Sequence, residues 1–220
     1  MQKIIGIYGA SGFGREVLPL VREQYLDAQF CFVDDGSQDS ELNGYPVYTY
    51  QDYLDLPCTD KSVVFAIANS KIREALEAKC KQDNLTIVSV KASNSVILDE
   101  VEIGEGSVLC HFTQLTSNIK IGKQFHANIY SYVAHDCVIG DYVTFAPKVQ
   151  CNGNVHIENH AYIGTGAIIK QGTPKRPLVI GEGAIVGMGA VVTKSVAPGV
   201  TVIGNPARPL TKEGLRKQNG

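Results

Sequence analysis

A repeating register of six residues in the second half of the chain constrains the fold more than any other feature. Steps of six from Ile97 to Ile169 meet only apolar residues, and the register resumes at Ile180 after one step of eleven. These first-column residues are Ile97, Ile103, Leu109, Leu115, Ile121, Ala127, Val133, Ile139, Phe145, Cys151, Ile157, Ile163, Ile169, Ile180, Val186 and Val192. Because only 44% of the chain is hydrophobic, an unbroken apolar series of this length indicates a structural repeat.

A second column, four residues after the first, contains no charged residue, glycine or proline. Its members are Val101, Ser107, Thr113, Ile119, Phe125, Ser131, Cys137, Val143, Val149, Val155, Ala161, Ala167 and Thr173. Glycines directly follow several first-column residues, where we expect tight corners to use the backbone freedom of glycine. These glycines are Gly104, Gly122, Gly140, Gly164, Gly181 and Gly187.

A period of six with two inward-facing residues per repeat predicts a parallel β-helix with short, flat faces. Three such faces make one coil, so the repeat supplies roughly five coils. A β-sandwich is disfavoured because its strands and turns would not keep a register of six for so long. The flat sides of the coils need cover, so we expect an oligomer.

The first part of the chain has a different pattern, in which short apolar runs alternate with helical stretches. This order of elements predicts a small parallel α/β domain. The predicted strands span 3–8, 30–33, 63–68 and 85–90, and the predicted helices span 13–24 and 70–82. Pro19 lies inside the first helix and predicts a kink there, and Asn43-Gly44 predicts a turn before Tyr45.

Composition sets the broad class of protein. The 220 residues carry a net charge of −2 and 19% charged side chains, which indicates a globular chain without electrostatic attraction to nucleic acid. No run of about 18 apolar residues predicts insertion into a membrane. The N-terminus shows no signal peptide, and the six cysteines are scattered, so we expect a cytoplasmic protein with free thiols.

Several segments of the chain together carry a family resemblance. They are Gly9-Ala10-Ser11-Gly12-Phe13-Gly14, Val33-Asp34-Asp35, Ile103-Gly104-Glu105-Gly106-Ser107-Val108, His135-Asp136-Cys137-Val138-Ile139-Gly140-Asp141 and Gly204-Asn205-Pro206-Ala207. The chain resembles the bacterial nucleotide-sugar N-acetyltransferases of the left-handed β-helix hexapeptide-repeat family, which acetylate UDP- or dTDP-linked 4-amino sugars, and the related sialic acid O-acetyltransferases.

The resemblance implies three segments with different roles. Residues 1–92 would form a Rossmann-like domain that binds the nucleotide sugar, residues 93–205 a left-handed parallel β-helix that carries acetyl transfer, and residues 206–220 a C-terminal tail. The resemblance also implies a homotrimer that uses acetyl-CoA as its cosubstrate and makes precursors of surface glycans.

His135 is the candidate general base. Transfer of an acetyl group to an amine requires loss of the amine proton, and an imidazole titrates near neutral pH. By resemblance, His135 occupies the base position and Asp136 the position of the carboxylate that orients it. Some relatives carry a second histidine nine residues after the base, where this chain has Thr144, so that position offers at most a hydroxyl contact. Cys137, in the second column, is expected to serve packing rather than to carry an acyl group, and so is Cys151 of the first column.

The glycine loop follows a strand and precedes a helix, so its amides can hold a phosphate. Its order differs from the dinucleotide fingerprint, which argues against a hydride-transfer enzyme. By resemblance, the loop would hold the diphosphate of the nucleotide sugar. The substrate-binding candidates are Gly9, Ser11, Gly12, Phe13, Gly14, Asp34, Asp35, Asn69, Ser70, Lys71 and Asn128. For Gly12 and Gly14 the alternative is close helix packing, and for Asn128 it is a hydrogen bond within its own turn.

The resemblance places acetyl-CoA along the late coils, between neighbouring subunits. The implied contacts are Gly153, Gly164, Thr165, Gly187, Met188 and Gly189. A basic group of residues surrounds the eleven-residue step, and within it Lys175 and Arg176 are candidates to meet the CoA phosphates. The full group is Lys170, Lys175, Arg176 and Lys194, and its alternative is an ordinary solvated loop.

The favoured substrate is a UDP-linked 4-amino-4,6-dideoxy sugar, with dTDP- or GDP-linked analogues next. An O-acetyltransferase acting on sialic acid or another sugar is the alternative within the class. Two other classes stay open at this point: a zinc-dependent hydratase and a non-catalytic sugar-nucleotide-binding scaffold. The spacing of His156 and His160 does not match a zinc site, so no metal is expected.

Overall fold

Parallel strand pairing organises both parts of the computed structural model, which describes residues 3–210. The N-terminal part contains six strands and three helices. They are β1 (Lys3–Tyr8), α1 (Gly12–Gln24), β2 (Ala28–Val33), β3 (Glu41–Leu42), β4 (Tyr45–Tyr48), α2 (Tyr50–Asp55), β5 (Asp60–Phe65), α3 (Ser70–Gln82) and β6 (Thr86–Ile87). The strand order in the sheet is β3-β4-β2-β1-β5-β6, and only the β3–β4 pair is antiparallel.

This topology creates a crevice at the carboxyl ends of β1 and β5. In the strand order, β2 is the neighbour of β1 on one side and β5 is its neighbour on the other side. The order of the strands therefore reverses at β1. A reversal of strand order leaves an opening between the connections on the two sides, and ligands of open α/β sheets bind there.

The predicted elements of this part are largely confirmed, with shifts where polar residues occupy strand ends. The strand predicted over 85–90 is confirmed only over Thr86–Ile87, because Val90 pairs with Val108 in the second part of the chain. The second helix is confirmed over 70–82, and the first begins at Gly12 and continues through Pro19. The predicted strand over 63–68 lies instead over Asp60–Phe65, because the polar residues Asp60 and Lys61 pair with Lys3 and Ile4 at the start of β1. The Asn43-Gly44 turn joins β3 to β4, with φ of 51° and 79°, as a tight hairpin requires.

The second part is a three-sided prism of stacked coils, which confirms the predicted β-helix. The first face contains β7 (Val90–Lys91), β10 (Val108–Leu109), β13 (His126–Ala127), β16 (Thr144–Phe145), β19 (Tyr162–Ile163), β22 (Ile185–Val186) and β24 (Thr201–Ile203). The second face contains β8 (Val96–Ile97), β11 (Gln114–Leu115), β14 (Tyr132–Val133), β17 (Gln150–Cys151), β20 (Ile168–Ile169) and β23 (Val191–Val192). The third face contains β9 (Val101–Ile103), β12 (Ile119–Ile121), β15 (Val138–Ile139), β18 (Val155–Ile157) and β21 (Leu178–Ile180).

The pairing shows one coil per eighteen residues. Val108 pairs with His126, and His126 pairs with Thr144. The strand β25 (Arg208–Pro209) pairs antiparallel with β24, so strand pairing extends into the segment that the sequence assigns to a tail. Residues 211–220 of that segment lie outside the described residues. At the other end, β7 precedes the expected boundary at residue 92 and already belongs to the first face.

Both inward columns form the core of the prism, with one exception. First-column residues from Leu109 to Val192 are buried, and Ile97 and Ile103 are partly buried. The second column is buried from Ser107 to Ala167. Thr173 was expected to continue it but is exposed, because residues 170–177 leave the coil and Thr173 forms a tight turn with Arg176.

The backbone conformation at the corners of the coils is regular, but the residues that adopt it are not the glycines that we expected. A left-handed residue recurs every six positions, as at Asn118, Gln124, Tyr130 and Asp136, whereas the glycines that follow first-column residues have no positive φ. The reason for those glycines is the close approach of neighbouring coils. A β-carbon at Gly104 would lie 2.5 Å from the carbonyl carbon of Gly122, a separation that side chains do not tolerate.

The two domains are joined through the first face and the edge between the third and first faces. Helix α1 lies along the first face, with Gln24 Oε1 accepting a hydrogen bond from the Lys91 amide and the tilted rings of Phe13 and His126 in contact, with centroids 5.4 Å apart. Helix α3 lies along the third–first edge, where Lys81 pairs with Glu105 at 2.9 Å. The helices between residues 3 and 210 are too short and too polar to cross a bilayer.

Arg73 of α3 is fully buried at this junction. Its guanidinium donates to the carbonyl oxygens of Ile67 and Ala68, to the carbonyl oxygen of Tyr142 at 2.8 Å, and to Thr144 Oγ1 at 3.1 Å. Burial lowers the pKa of Arg73 to about 10. These bonds connect the loop after β5 to the prism through one side chain.

We predict that Arg73→Met destabilises the protein by about 2–4 kcal/mol, because buried carbonyl oxygens on both domains lose their donor. The control is Lys71→Met on the same helix, whose ammonium is exposed and pairs with Glu74; its expected cost is below about 0.5 kcal/mol. Urea unfolding measures both variants. Equal stability of the two variants would contradict the assigned role of Arg73.

Candidate active site

His135 and Asp136 form a hydrogen-bonded pair on the edge between the second and third faces. The Nδ1 atom of His135 lies 2.7 Å from Oδ2 of Asp136, and both side chains are about half exposed, at 49% and 48%. Asp136 occupies the left-handed corner position with φ 57°, a conformation that Asp and Asn adopt more readily than most residues. The corner therefore accepts this residue type readily, and its backbone directs the carboxylate to the imidazole.

Gly153 lies under the His135 ring, one coil further along the same edge. A β-carbon at Gly153 would lie 2.6 Å from both Cε1 and Nε2 of His135. The carbonyl oxygen of His135 also accepts a hydrogen bond from the Asn154 amide at 3.0 Å. Glycine at this position thus leaves the space in which the imidazole lies.

The eleven-residue step, with its basic group of residues, begins on the same edge. The amide of Gly172 donates to the carbonyl oxygen of Gly153 at 2.9 Å, and the turn from Thr173 to Arg176 follows it. The charged side chains of the basic group are exposed, and Lys194 follows β23 on the next coil. The structure therefore aligns His135, Gly153 and this basic group along one edge.

The remaining cofactor candidates lie on the other edge of the second face, between the first and second faces. Gly164 and Thr165 follow β19, and Gly187–Gly189 follow β22. The Gly189 amide donates to the carbonyl oxygen of Thr165 at 2.8 Å, and Met188 is 81% exposed. The second face separates the two groups of cofactor candidates, so a ligand that touches both within one chain would have to cross that face.

Asn128 and Thr144 have local structural partners. Oδ1 of Asn128 accepts a hydrogen bond from the neighbouring Ile129 amide at 2.7 Å, which is the turn contact that the sequence offered as an alternative. The Thr144 hydroxyl donates to the Ala68 carbonyl oxygen and accepts from Arg73. The position at which some relatives have histidine thus provides a hydroxyl contact at the domain junction.

Close packing explains why some positions of the glycine loop are glycine, but it does not explain all of them. A β-carbon at Gly14 would lie 2.0 Å from the Gly9 carbonyl oxygen, and Gly9 itself has φ 114°. At Gly12 the nearest atom would be 3.9 Å away, so close packing does not explain this glycine. Ser11 precedes α1 and makes no side-chain cap, and the first turn holds no acidic residue, which leaves an open helix N-terminus of the kind that binds anions.

The two aspartates after β2 hold the surrounding loops. Asp34 accepts hydrogen bonds from the amides of Ala10 and Gly36 at 2.8 and 3.0 Å. Asp35 accepts from the Tyr50 amide at 2.7 Å and from the Tyr8 hydroxyl at 3.2 Å.

The residues that open α3 lie on the other side of the glycine loop, at the end of β5. Oδ1 of Asn69 accepts hydrogen bonds from the amides of Lys71 and Ile72, so its side chain caps the helix that Ser70 begins. Apart from Asn128, the substrate-binding candidates therefore lie at the carboxyl ends of three strands. These strands, β2, β1 and β5, are neighbours in the sheet in that order.

The crevice and His135 lie on opposite sides of the prism. The crevice adjoins the first face, as the contacts of Phe13 with His126 and of Ala68 with Thr144 show. His135 lies on the second–third edge, which is opposite the first face in a three-sided prism. One chain alone therefore does not bring its crevice to its own His135.

Arg73, Glu77 and His126 form a buried polar cluster at the domain junction, which the sequence did not predict. Burial raises the pKa of Glu77, but hydrogen bonds from Lys81 and Tyr142 outweigh it and lower the pKa overall. Burial, followed by the charge of Arg73, lowers the pKa of His126 well below its ordinary value. Arg73 and Glu77 are four residues apart, which puts them on one face of the predicted helix. This spacing is the feature of the sequence that could have indicated a buried pair.

The two inward cysteines behave as core residues. Cys137 and Cys151 are buried, and both thiols donate to the carbonyl oxygen of Asn152, at 3.2 and 3.8 Å. The interaction between the two neighbouring thiols lowers the pKa of Cys137 and raises that of Cys151. Their packing role stays a prediction that this burial supports. Within residues 3–210, no group of three or more His, Cys, Asp or Glu side chains is arranged to hold a metal ion.

Comparison with known proteins gives matches in sequence and in structure. Residues 4–79 match the family described as the PglD N-terminal domain. The chain is 49% identical over 214 residues to GDP-perosamine N-acetyltransferase of Escherichia coli O157:H7, across 95% of this chain and 97% of that protein.

Two solved structures share the fold over nearly the whole chain. WeeI from Acinetobacter baumannii AYE has a TM-score of 0.94 and 67% identity, with 95% of this chain and 100% of that chain covered. The acetyltransferase domain of PglB from Neisseria gonorrhoeae FA1090, in complex with acetyl coenzyme A, has a TM-score of 0.86 and 26% identity, with 96% and 100% covered.

We predict that Gly153→Ala displaces the His135 imidazole and breaks its 2.7 Å contact with Asp136, because the added methyl group occupies the volume of the ring. A crystal structure of the variant measures the displacement, which we expect to exceed about 1 Å. Gly199→Asn is the control, since φ at Gly199 is 68° with no atom within 4 Å of a β-carbon. An unmoved imidazole in Gly153→Ala would show that Gly153 does not position His135.

Proposed function

Because the chain belongs to the family of nucleotide-sugar N-acetyltransferases that act on amino sugars, we propose that it moves the acetyl group of acetyl-CoA to the 4-amino group of a nucleotide-linked 4-amino-4,6-dideoxy sugar. The observation that carries this proposal is the His135–Asp136 pair on an open edge of the prism. It gives an imidazole whose second nitrogen, Nε2, is available to a substrate proton.

The proposed reaction needs one base and no covalent intermediate on the protein. Asp136 accepts the Nδ1 proton of His135, which leaves Nε2 as the proton acceptor. The amine nitrogen attacks the thioester carbonyl carbon while its proton passes to Nε2. The carbon–sulfur bond then breaks, and the CoA thiolate leaves and takes up that proton from Nε2 as the free thiol, which returns His135 to its neutral form.

The nucleotide is proposed to lie across the strand ends of the crevice, with its diphosphate at the open N-terminus of α1. UDP is the nucleotide that the sequence favours. The relative from Escherichia coli is named for a GDP-linked sugar, so GDP is the main alternative. The loops that Asp34 and Asp35 hold would form the side of the site nearest the base and ribose.

Acetyl-CoA is proposed to bind along the second face. The related PglB domain is described in complex with acetyl coenzyme A, which supports the same cosubstrate here. In this chain the basic group beside Gly153 offers positive charge to the CoA phosphates. Nucleotide sugars and acetyl-CoA are cytoplasmic metabolites, and we place the protein in the cytoplasm, where it would supply surface glycan synthesis.

A homotrimer would join the two halves of the site. The crevice of one copy lies opposite its own His135, so a neighbouring copy has to supply the base. The outward residues of the second face are uncharged, unlike Glu102 and Lys120 on the third face. They are Val96, Gln114, Tyr132, Gln150, Ile168 and Val191. A face without charged residues is the better candidate for the subunit contact.

We predict that His135→Ala lowers kcat about 100-fold or more, the size of a general-base contribution. Asp136→Asn keeps a residue suited to the left-handed corner and lowers kcat at least about tenfold, because it removes the charge that stabilises the imidazolium. The measurement is CoA release with UDP-, GDP- and dTDP-linked 4-amino sugars and with sialic acid. Turnover on sialic acid alone would contradict the N-acetyl proposal, and an undiminished His135→Ala rate would remove His135 as the base.

We also predict that two inactive variants restore activity when they assemble together. His135→Ala lacks the base, and Gly12→Asp places a negative charge where the diphosphate is expected, at a position with room for a side chain. Random mixing should restore about a quarter of the wild-type activity if each site uses two chains.

The mixed assemblies are made by co-expression, with separately purified variants as the control. No recovery in assemblies that demonstrably contain both chains would show that each site belongs to a single chain.

A further inference from the structure

A cleft of about 280 Å³ lies between the N-terminus of α3 and the late strands of the first face. Asn69, Ser70 and Lys71 form one wall, and the outward side chains of Tyr162 and Ile185 lie across from them. The cleft lies at the end of β5, next to the glycine loop at the end of β1 in the strand order. It thus continues the nucleotide crevice on the side away from Asp34 and Asp35.

At this cleft the outward side chains of the first face change from buried to exposed. The outward residues Val108, His126 and Thr144 are buried beneath the N-terminal domain, at 0%, 1% and 6% exposure. Tyr162 and Ile185 continue the same row but are 37% and 43% exposed. The row therefore gives the cleft an apolar surface at the point where the domain ends.

His160 adds an unsatisfied polar atom beside the apolar side of this cleft. Its side chain is only 7% exposed and stacks on Tyr142, with centroids 5.1 Å apart and planes at 3°. Nε2 lies 3.6 Å from Oε2 of Glu74, whereas Nδ1 has no hydrogen-bond partner among residues 3–210. Burial and the charge of Lys71 lower the pKa of His160, so the ring is neutral at pH 7 and Nδ1 can accept a hydrogen bond.

The chemistry of the cleft fits one part of the proposed substrate. A nucleotide sugar with its diphosphate at the α1 N-terminus and its base on the β2 side extends its sugar toward β5. A 6-deoxy sugar carries one methyl group among hydroxyl groups, which matches an apolar wall beside a single buried acceptor. A buried acceptor without a donor is costly, and a ligand hydroxyl removes that cost.

We infer that this cleft holds the sugar ring of the acceptor, with Tyr162 and Ile185 against the C6 methyl group and His160 Nδ1 accepting a hydrogen bond from a ring hydroxyl. The inference rests on the proposed function and deepens it. Tyr162, Ile185 and His160 are then specificity-determining residues that select a 6-deoxy sugar over its 6-hydroxy counterpart. The base that completes the reaction comes from the neighbouring copy.

The test compares two acceptors with the same nucleotide, a 4-amino-4,6-dideoxy sugar and the 4-amino-4-deoxy sugar that keeps its 6-hydroxyl. In Ile185→Thr we expect the ratio of kcat/KM for the two acceptors to fall about tenfold, since one methyl contact in an apolar pocket has about that effect. Val179→Thr is the matched control, because Val179 is an outward β-branched residue on the third face. Its ratio should equal that of the wild type.

His160→Phe tests the hydrogen bond separately. Phenylalanine keeps a ring to stack on Tyr142 but removes Nδ1, so we expect KM for the nucleotide sugar to rise about threefold to tenfold while KM for acetyl-CoA stays constant. A KM for the nucleotide sugar equal to that of the wild type would overturn the role of His160.

Binding of the free nucleoside diphosphate, measured by calorimetry, separates the possible failures. Unchanged binding in Ile185→Thr shows that the crevice is intact, and an unchanged acceptor ratio in the same variant would then overturn the sugar subsite alone. If the wild-type protein acetylates no nucleotide-linked amino sugar at all, the proposed function fails instead.

Discussion

The buried guanidinium of Arg73 bonds the α/β domain to the prism and requires the two to stay in register. A charged group at zero exposure is costly unless its donors are used, and Arg73 donates to carbonyl oxygens of the loop after β5 and of the prism. This requirement sets α3 along the third–first edge and leaves the ends of β1 and β5 open toward the late coils. The bare row at Tyr162 and Ile185 and the position of the crevice relative to His135 follow from that placement.

The second–third edge supplies the other half of the proposed site by a different physical route. Each coil needs a left-handed residue at its corner, and at Asp136 this requirement also directs the carboxylate to the neighbouring imidazole. The next coil along the chain has to leave room for the ring, which Gly153 does. The stacking of coils thus positions an exposed base pair without any contribution from the α/β domain.

The sequence predicted what depends on local pattern and missed what depends on distant contacts. The register of six from Ile97 predicted the prism, and the glycine loop after an apolar run predicted the β1–α1 junction. The spacing could not show that Gly104 is required by its neighbour in the next coil, because that contact joins residues eighteen positions apart. It also could not show that Arg73 and Thr144 meet, since the docking of two domains brings them together. The family resemblance implied the pairing of His135 with Asp136, and the contact itself is local because the two residues are adjacent in the chain.

The central claim is that the base on one copy acts on a sugar held by another. The most direct measurement is a crystal structure of the assembled protein with CoA and the nucleotide sugar bound. The account predicts that the diphosphate lies at Gly12 of one chain while the sugar amine lies within hydrogen-bonding distance of His135 from a neighbouring chain. A structure in which the same chain contributes both Gly12 and His135 to one bound sugar would contradict it.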